Sequence, residues 1–513
     1  MQKRAYPHAV SNIELIQTHI SYVFLAGDQV YKLKKPVDLG FLDFSTLEKR
    51  REACEAESRL NQRGCPGGVY VGVEQLKQHH GAFRIGGEGE TVDYLVHMKR
   101  LPRERMMDRM LERGEVDFEM IARVAARLAE LHRSAERGEK IAELGGFGQQ
   151  VRNWRENLMQ LHPLVGRTLG GARLERIERF VDGFMHAEAD LLRRREKDGW
   201  IRDCHGDLRS DAVCFDPSLP GGICLFDCIE FNDAFRYSDT GLDAAFLAMD
   251  LDYRGHPDLS NLFISLYAHA VGDKELAVLL PLFKCHRATI RGKVESFQLV
   301  DPAIGARQKA AARRRARKYF ALADSYTRGH GRQALILVTG PSGSGKSVLA
   351  GVLAAHLSAV LLSTDIIRRE HFQDRGRDAP IDAGIYSPEA RASVYDELYR
   401  EAEEMLAQGR SVVLDGTYIE RNQRLPVERL AGQLRARLLL VECSAPDEVV
   451  RDRQRRREGE AWTASEGRWD VYLAQKARIE PVTEVPDSRR ITIDTTLPIA
   501  EQIEAIRAKL KGR

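Results

Sequence analysis

The chain has 513 residues, 43% hydrophobic and 30% charged, which is the balance of a soluble globular protein with room for two or three domains. Its 78 basic and 75 acidic residues leave a net charge of +3, without the clustered positive excess of a general nucleic-acid binder. No apolar stretch approaches the ~18 residues of a membrane span, and Met1 to Glu14 lacks the apolar core of a signal peptide, so a cytoplasmic protein without a membrane contact is expected.

Eight cysteines (54, 65, 204, 214, 224, 228, 285 and 443) in so long a chain predict reduced thiols, not a disulfide scaffold. Four of them crowd between Cys204 and Cys228 near His205. They lack the paired C-x-x-C spacing of a zinc site and fall in apolar runs, so buried thiols are the better reading.

Ile20 to Ala26 and Gln29 to Lys34 read as a hairpin about Gly27-Asp28. Ser45 to Arg63 is helix-prone, and Val69 to Leu76 and Thr91 to Lys99 are further strand candidates. From Asp117 the apolar residues recur three and four apart (Ile121, Val124, Ala125, Leu128, Leu131), which predicts helix. That helical region runs to about 320, interrupted over 200–232 by short strands and turns. Residues 302–326 form a basic, Ala-rich helix candidate with Arg307, Lys309, Arg313, Arg314, Arg315, Arg317 and Lys318, best read as a solvated face. A linker is expected over 326–333. Strands near 335–339, 359–364, 411–414, 437–442 and 490–494 then alternate with helices, which predicts a parallel α/β domain over 334–513.

Chemistry is clearest at Gly340-Pro341-Ser342-Gly343-Ser344-Gly345-Lys346-Ser347, which fits G-x-x-x-x-G-K-[ST] between a strand-like run and a helix-like run. Glycines let backbone N–H groups wrap phosphate oxygens, and the helix N-terminus adds positive charge. Lys346 is expected at the β- and γ-phosphates of ATP, and the Ser347 hydroxyl on Mg²⁺. Two apolar strands end in acids, Asp365 and Asp415. One would hold Mg²⁺ and the other would accept the proton of an acceptor hydroxyl; Asp415 is assigned to the metal and Asp365 to the acceptor, with the reverse left open. Arg368 and Arg369 follow Asp365 and offer charge to a substrate phosphate. Arg451 and Arg455, four apart in an Arg-rich helix-prone stretch, are candidates to close over the triphosphate.

This half resembles the small P-loop kinases of the gluconate-kinase, polynucleotide-kinase and zeta-toxin type, on Gly340–Ser347, Ser363-Thr364-Asp365 with Arg368, Leu414-Asp415-Gly416-Thr417 and the Arg-rich stretch. The resemblance implies transfer of the ATP γ-phosphate to a small-molecule or nucleotide hydroxyl.

A second constellation is His205-Gly206-Asp207-Leu208, followed by Leu225-Phe226-Asp227. One loop acid can receive a hydroxyl proton and the other can hold Mg²⁺ on phosphates. With the strand-rich start and helical continuation, residues 1–325 resemble aminoglycoside-phosphotransferase-like kinases of protein-kinase-like fold. Together the two halves resemble bacterial fusions of such a domain with a P-loop kinase. The residues that carry this are Val30-Tyr31-Lys32-Leu33-Lys34-Lys35-Pro36, Gly40 to Glu48, and Phe226-Asp227-Cys228-Ile229-Glu230-Phe231-Asn232. The resemblance implies that Lys32 or Lys34 pairs the ATP phosphates, Glu57 orients that lysine, Asp207 is the base, Asp227 is a Mg²⁺ ligand with Glu230 nearby, and Asp239 and Asp243 brace the site. The family pattern H-G-D-L-H-x-x-N is broken here: Arg209 stands at the His and Ala212 at the Asn that ligates a second Mg²⁺.

The expected protein is therefore an α+β kinase-like domain (1–325) joined to a P-loop α/β domain of AAA type (334–513), moving phosphate from Mg²⁺-ATP to a small-molecule hydroxyl. The alternative is an ATP-responsive regulator with a pseudokinase sensor domain and a P-loop ATPase. A nucleic-acid 5′-hydroxyl kinase is disfavoured by the near-neutral charge. The sequence names neither the acceptor nor an oligomeric state.

Overall fold

A computed structural model describes the chain except residues 1, 41, 302–303, 329–332, 373–383, 385–386, 408–409, 458–468 and 512–513. Packing divides it into two units, Met1–Gln160 with Asp182–Asp250, and Leu161–Val181 with Leu251–Arg513. This division does not fall at the 326–333 linker expected from sequence, of which residues 329–332 lie outside the described residues.

The first unit is built on a six-stranded antiparallel sheet of β1 (Ile13–Gln17), β2 (Ser21–Ala26), β3 (Gln29–Lys34), β4 (Tyr70–His79), β5 (Ala82–Ile85) and β6 (Glu90–Lys99), ordered β1-β2-β3-β6-β4-β5. The β2–β3 hairpin turns at Gly27 as expected, with φ +66° that favours glycine. The edge strands β1 and β5 were not foreseen. β1 buries no side chain fully, so it carries no alternation to read.

Helix α1 (Leu47–Gly64) starts on the Thr46 side chain, which accepts from the Lys49 N–H. Its buried stripe (Ala53, Cys54, Glu57, Leu60, Asn61, Gly64) has helical spacing and includes a carboxylate and an amide. Arg50 fixes the start of the helix by donating from Nε to both Asp93 oxygens, at 2.9 and 3.1 Å. Helix α2 (Phe118–Ser134) buries the predicted Ile121, Val124, Ala125, Leu128 and Leu131. Short strands follow: β7 (Ile201–Asp203), β8 (Val213–Cys214), β9 (Cys224–Leu225) and β10 (Tyr237–Asp239), paired β7–β10 and β8–β9. Helix α3 (Thr240–Arg254) comes next.

The expectation of wholly reduced cysteines is corrected. Cys65 and Cys224 are disulfide-bonded, while the other six are free and buried. The end of α1 lies hard against β9, where a Cβ on Gly64 would come 2.4 Å from the Leu225 carbonyl oxygen. Sequence offers no sign of that approach across 159 residues.

The second unit carries helices α4 (Pro257–Val271) and α5 (Ala306–Tyr326), and then a five-stranded parallel sheet. Its strands are β11 (Ala334–Thr339), β12 (Val360–Ser363), β13 (Val412–Asp415), β14 (Arg437–Ser444) and β15 (Arg490–Asp494), ordered β12-β13-β11-β14-β15. All five lie where the sequence placed them. The strands β11 and β13 are buried at every position, as a parallel sheet covered on both faces requires. In α5 the basic residues divide: Arg313, Arg314 and Arg317 are exposed, Arg315 bonds Glu295 at 2.8 Å, and Lys318 lies over the Tyr253 ring.

Helices α6 (Lys346–Leu357), α7 (Thr364–Phe372) and α8 (Asp447–Arg457) complete the frame of the site. Helix α4 packs directly on α6, where only glycine fits at 351: an added Cβ would lie 1.9 Å from Ser265 Oγ and 2.8 Å from its Cβ. Overpacking at this point costs ~1–3 kcal/mol, more than the ~0.5–1 kcal/mol that alanine returns in a helix. Gly351→Ala therefore lowers the thermal midpoint, and Ser265→Gly in the same chain recovers part of the loss. A double-mutant cycle read by calorimetry checks this; simple additivity would show that the two helices do not meet here.

Candidate active site

In the first unit the site grows from one buried carboxylate. Strand alternation sets Lys32 and Lys34 on the same face of β3, and α1 delivers Glu57 to both. Lys32 Nζ donates to Glu57 Oε1 at 2.8 Å and to Asp227 Oδ1 at 3.0 Å. Lys34 donates to Glu57 Oε2 and to Glu230 Oε1, and its side chain is wholly buried. The two lysines are thus not equivalent. Lys34 is a strut between two carboxylates, while Lys32 points to an Asp227 side chain that is 58% exposed.

Burial pushes the Glu57 carboxyl up, but Lys32 and Lys34 overcome it and hold the group below its ordinary value. Glu230 ends above its ordinary value, because burial outweighs Lys34. The Lys32 ammonium beside Asp227 draws that carboxyl down to about 2. Asp227 also sits at φ +62°, a left-handed backbone costly for a non-glycine residue and typical of functional loops.

The Asp207 loop is held from beneath. Asp243 Oδ1 accepts from the Gly206 N–H at 2.7 Å, and its Oδ2 from the His205 N–H at 3.1 Å. Arg195 donates to both Asp239 oxygens at 2.7 and 2.9 Å, and Asp239 accepts from the Gly241 N–H at the start of α3. Arg209 lies 3.4 Å from Asp207 and 3.1 Å from Asp211, and Ala212 is buried. Two partners escaped the sequence reading. Asn61 accepts from the Cys228 N–H at 2.8 Å, and the Asp227 N–H donates to the Tyr70 hydroxyl at 3.4 Å. Neither residue sits in a motif.

His132, Cys204 and Asp243 gather within 4.8 Å, the one such group among the described residues. Asp243 already accepts from two backbone amides and lies 3.0 Å from His132 Nε2, while burial pushes the Cys204 thiol far up. These residues brace one another, and a cation would find no free thiolate.

In the second unit the Gly340–Ser347 loop joins β11 to α6. Gly343 and Gly345 have φ of +84° and +87°; a Cβ at 345 would lie 3.0 Å from Thr495 Oγ1 and 3.1 Å from Arg453 Nη1. Ser342 N–H donates to Gln475 at 2.7 Å, and the Ser344 carbonyl accepts from Thr495 Oγ1 at 2.6 Å. Lys346 is 7% exposed.

Parallel register places Ser363 beside Asp415, and Ser363 Oγ donates to Asp415 Oδ2 at 3.0 Å. The strand stops at Ser363, so Asp365 lies in the first turn of α7 and not at a strand end. There Arg368 Nη1 donates to Asp365 Oδ1 at 2.7 Å. The side chain of Arg369 lies outside the described residues.

The two acids are driven apart. Burial pushes the Asp415 carboxyl up, with Asp365 adding to the effect and Lys346 opposing it. Burial also acts on Asp365, yet Arg368, Lys346 and His269 outweigh it and hold that carboxyl below its ordinary value. Asp415 Oδ1 is buried with no hydrogen-bond partner among the described residues. An orphaned carboxylate oxygen close to Lys346 and Ser347 fits a Mg²⁺ ligand.

The arginines of α8 differ from expectation. Arg451 lies over the Trp469 ring at 5.3 Å and Arg455 is exposed. Arg453 is linked to the loop through Thr495, donating to Thr495 Oγ1 at 3.0 Å and to Thr495 O at 2.7 Å. Helical phase explains this: residues 451 and 455 share a face, and residue 453 faces away from it. Residues 458–468 and the side chains of Arg456 and Arg457 lie outside the described residues.

Residues 335–482 match a family described as AAA domain, a span that lies inside the expected 334–513. Over 445 residues the chain is 35% identical to a protein described as uncharacterized from Mycobacterium tuberculosis (strain ATCC 25618 / H37Rv), covering 86% of this chain and 85% of that one. The chain belongs to the same family as that protein. A Mycobacterium bovis member matches over the same shares at the same identity.

Among solved structures, a choline/ethanolamine kinase family protein from Mesorhizobium loti covers 62% of this chain and 92% of its own at 13% identity and a TM-score of 0.37. A gluconokinase from Sinorhizobium meliloti 1021 covers 36% and 93% at 19% identity and a TM-score of 0.28. An APS kinase from Mycobacterium tuberculosis covers 35% and 99% at 23% identity and a TM-score of 0.24. At TM-scores this low none of these likenesses bears on the site.

Lys34→Met strands Glu57 and Glu230 in the interior. Removing one partner of a buried ion pair costs ~3–5 kcal/mol. The variant unfolds at lower denaturant concentration, and adding Glu230→Gln recovers part of the loss. An unchanged midpoint would show that Lys34 is not a buried strut.

Proposed function

We propose that the protein is a Mg²⁺-dependent ATP phosphotransferase that moves the γ-phosphate to a hydroxyl of a small molecule. The observation that carries this reading is the pair of acids beside Lys346: buried Asp415 with an orphaned oxygen, and Asp365 kept ionised by Arg368. Opposed shifts on neighbouring carboxyls divide labour between two groups. A switch that only hydrolyses ATP needs no second acid held ready for an acceptor.

In this reading the backbone N–H groups of Gly343, Gly345 and Lys346 cradle the phosphates, and the Lys346 ammonium meets the charge that spreads over the transferring group. Ser347 and Asp415 would hold Mg²⁺, which supplies further positive charge between the phosphates. Asp365 takes the proton as the acceptor oxygen bonds to the γ-phosphorus and the bond from that phosphorus to the ADP oxygen breaks. Arg453 steadies the loop through Thr495, and Arg451 and Arg455 close over the triphosphate.

For the first unit we infer a second nucleotide site. Lys32, oriented by Glu57, would meet phosphate, Asp227 would hold Mg²⁺, and Asp207 would be the base. The functional modules are 1–325 and 334–513, working in the cytoplasm on soluble partners. One observation favours the regulatory alternative for the first module: Arg209 lies against Asp207, and buried Ala212 offers no metal ligand. A panel of hydroxyl-bearing metabolites incubated with full-length protein and Mg²⁺-ATP, read by mass shift, identifies the acceptor; ATP consumption with no phosphorylated product across the panel would favour the regulator.

Both predictions use full-length protein carrying Asp227→Asn, so that only the P-loop site is read. Lys346→Ala lowers ATP turnover by ~10²–10³, equivalent to ~3–4 kcal/mol of transition-state stabilisation. Retained turnover would refute the P-loop assignment. Asp365→Asn suppresses transfer to the acceptor far more than nucleotide binding, because the amide keeps the shape and loses the proton acceptor. Should nucleotide affinity fall as much as transfer, Asp365 and Asp415 exchange roles.

A further inference from the structure

Residues 257–275 precede the P-loop sheet by a whole helical region, yet four observations tie them to the P-loop site. Ser265 of α4 occupies the space that a side chain at Gly351 of α6 would need. Strand β12 is the edge of its sheet, and its Leu361 N–H donates to the Lys274 carbonyl oxygen at 3.2 Å. Lys274 Nζ reaches both Glu401 oxygens at 3.1 Å, and Arg410 lies 3.4 Å from Glu275. His269 is one turn beyond Ser265 on the same face of α4, and Ser347 is one turn before Gly351 on α6.

Strand β12 leads through Ser363 into Asp365. The segment therefore holds both elements that carry the site, α6 with Lys346 and Ser347, and the β12–α7 junction with Asp365. His269 is half-buried and is among the basic groups that act on the Asp365 carboxylate, together with Arg368 and Lys346.

We propose that residues 257–275 are a working part of the P-loop site, with His269 as a positioning residue for Asp365. The inference rests on the phosphotransfer reading of that site. The helix serves as a wall against which α6 and β12 are registered, and His269 fixes the orientation of the acid that receives the acceptor proton. A misplacement of about 1 Å at such a group costs up to ~10²-fold in rate, so a positioning role is measurable.

The test uses full-length protein with Asp227→Asn as the parent. His269→Ala, His269→Leu, His269→Gln and Lys346→Ala are each added to it. Basal conversion of ATP to ADP with Mg²⁺, affinity for a non-hydrolysable ATP analogue, and hydrogen exchange over 257–275 with and without that analogue are read. His269→Ala and the bulk-preserving His269→Leu are expected to slow turnover about tenfold at unchanged analogue affinity, and His269→Gln to recover part of it. The analogue is expected to slow exchange over 257–275 in the parent and not with Lys346→Ala. The proposal is overturned if His269→Leu turns over at the parent rate, or if exchange over 257–275 ignores the analogue. If instead Lys346→Ala retains turnover and analogue binding, the P-loop reading itself fails, and that result is distinguishable from the others.

Discussion

A carboxylate taken out of water must be met by positive charge, and Glu57 is met twice. Its two oxygens are divided between Lys32 and Lys34, and this division shapes the first unit. Because Lys34 is consumed by Glu57 and Glu230, it fixes α1 against the sheet. Because Lys32 has a second oxygen to reach, it carries the register of α1 out to Asp227. A buried ion chain of this kind adds little net stability against an apolar replacement, yet it cannot be broken at one link without a large penalty. Its return here is geometric: three elements distant in sequence are brought to one point at the edge of solvent.

The second unit solves a related problem differently. Asp365 lies close enough to Asp415 to push its carboxyl up, and only Asp365 is given a full ion pair. The loop between β11 and α6 is bonded by Gln475 and Thr495, and Arg453 holds Thr495 in turn, so Lys346 stands beside the acids on a braced loop. Preorganised charge of this sort costs no rearrangement when the reaction occurs.

The P-loop was legible because all of its chemistry lies in eight consecutive residues, and the parallel sheet was legible because its strands are uninterrupted apolar runs. Alternation along β3 placed both lysines on one face, but the choice between them depended on Glu230, 196 residues away from Lys34. The Arg-rich helix was legible, but not that Arg453 is the arginine that bonds Thr495. Which arginine faces Thr495 depends on how α8 is rotated against β15, and composition does not record that rotation. The Cys65–Cys224 bond and the packing of Ser265 on Gly351 were invisible for the same reason. Each is a close approach of two backbones, marked in the sequence by nothing more than a small residue. The edge strands β1 and β5 failed for another cause: strands that bury little carry little pattern.

Thr495 ties the end of β15 back to Ser344, and Arg453 is drawn to the same residue. Ser344 leaves the ribosome 151 residues before its partner does. The phosphate loop is therefore made early and finished late. Until β15 is added beside β14, Arg453 lacks its Thr495 partner and the Ser344 carbonyl lacks the hydroxyl that it accepts from. A chain still in production thus carries the nucleotide motif in full and yet lacks the strand that bonds it.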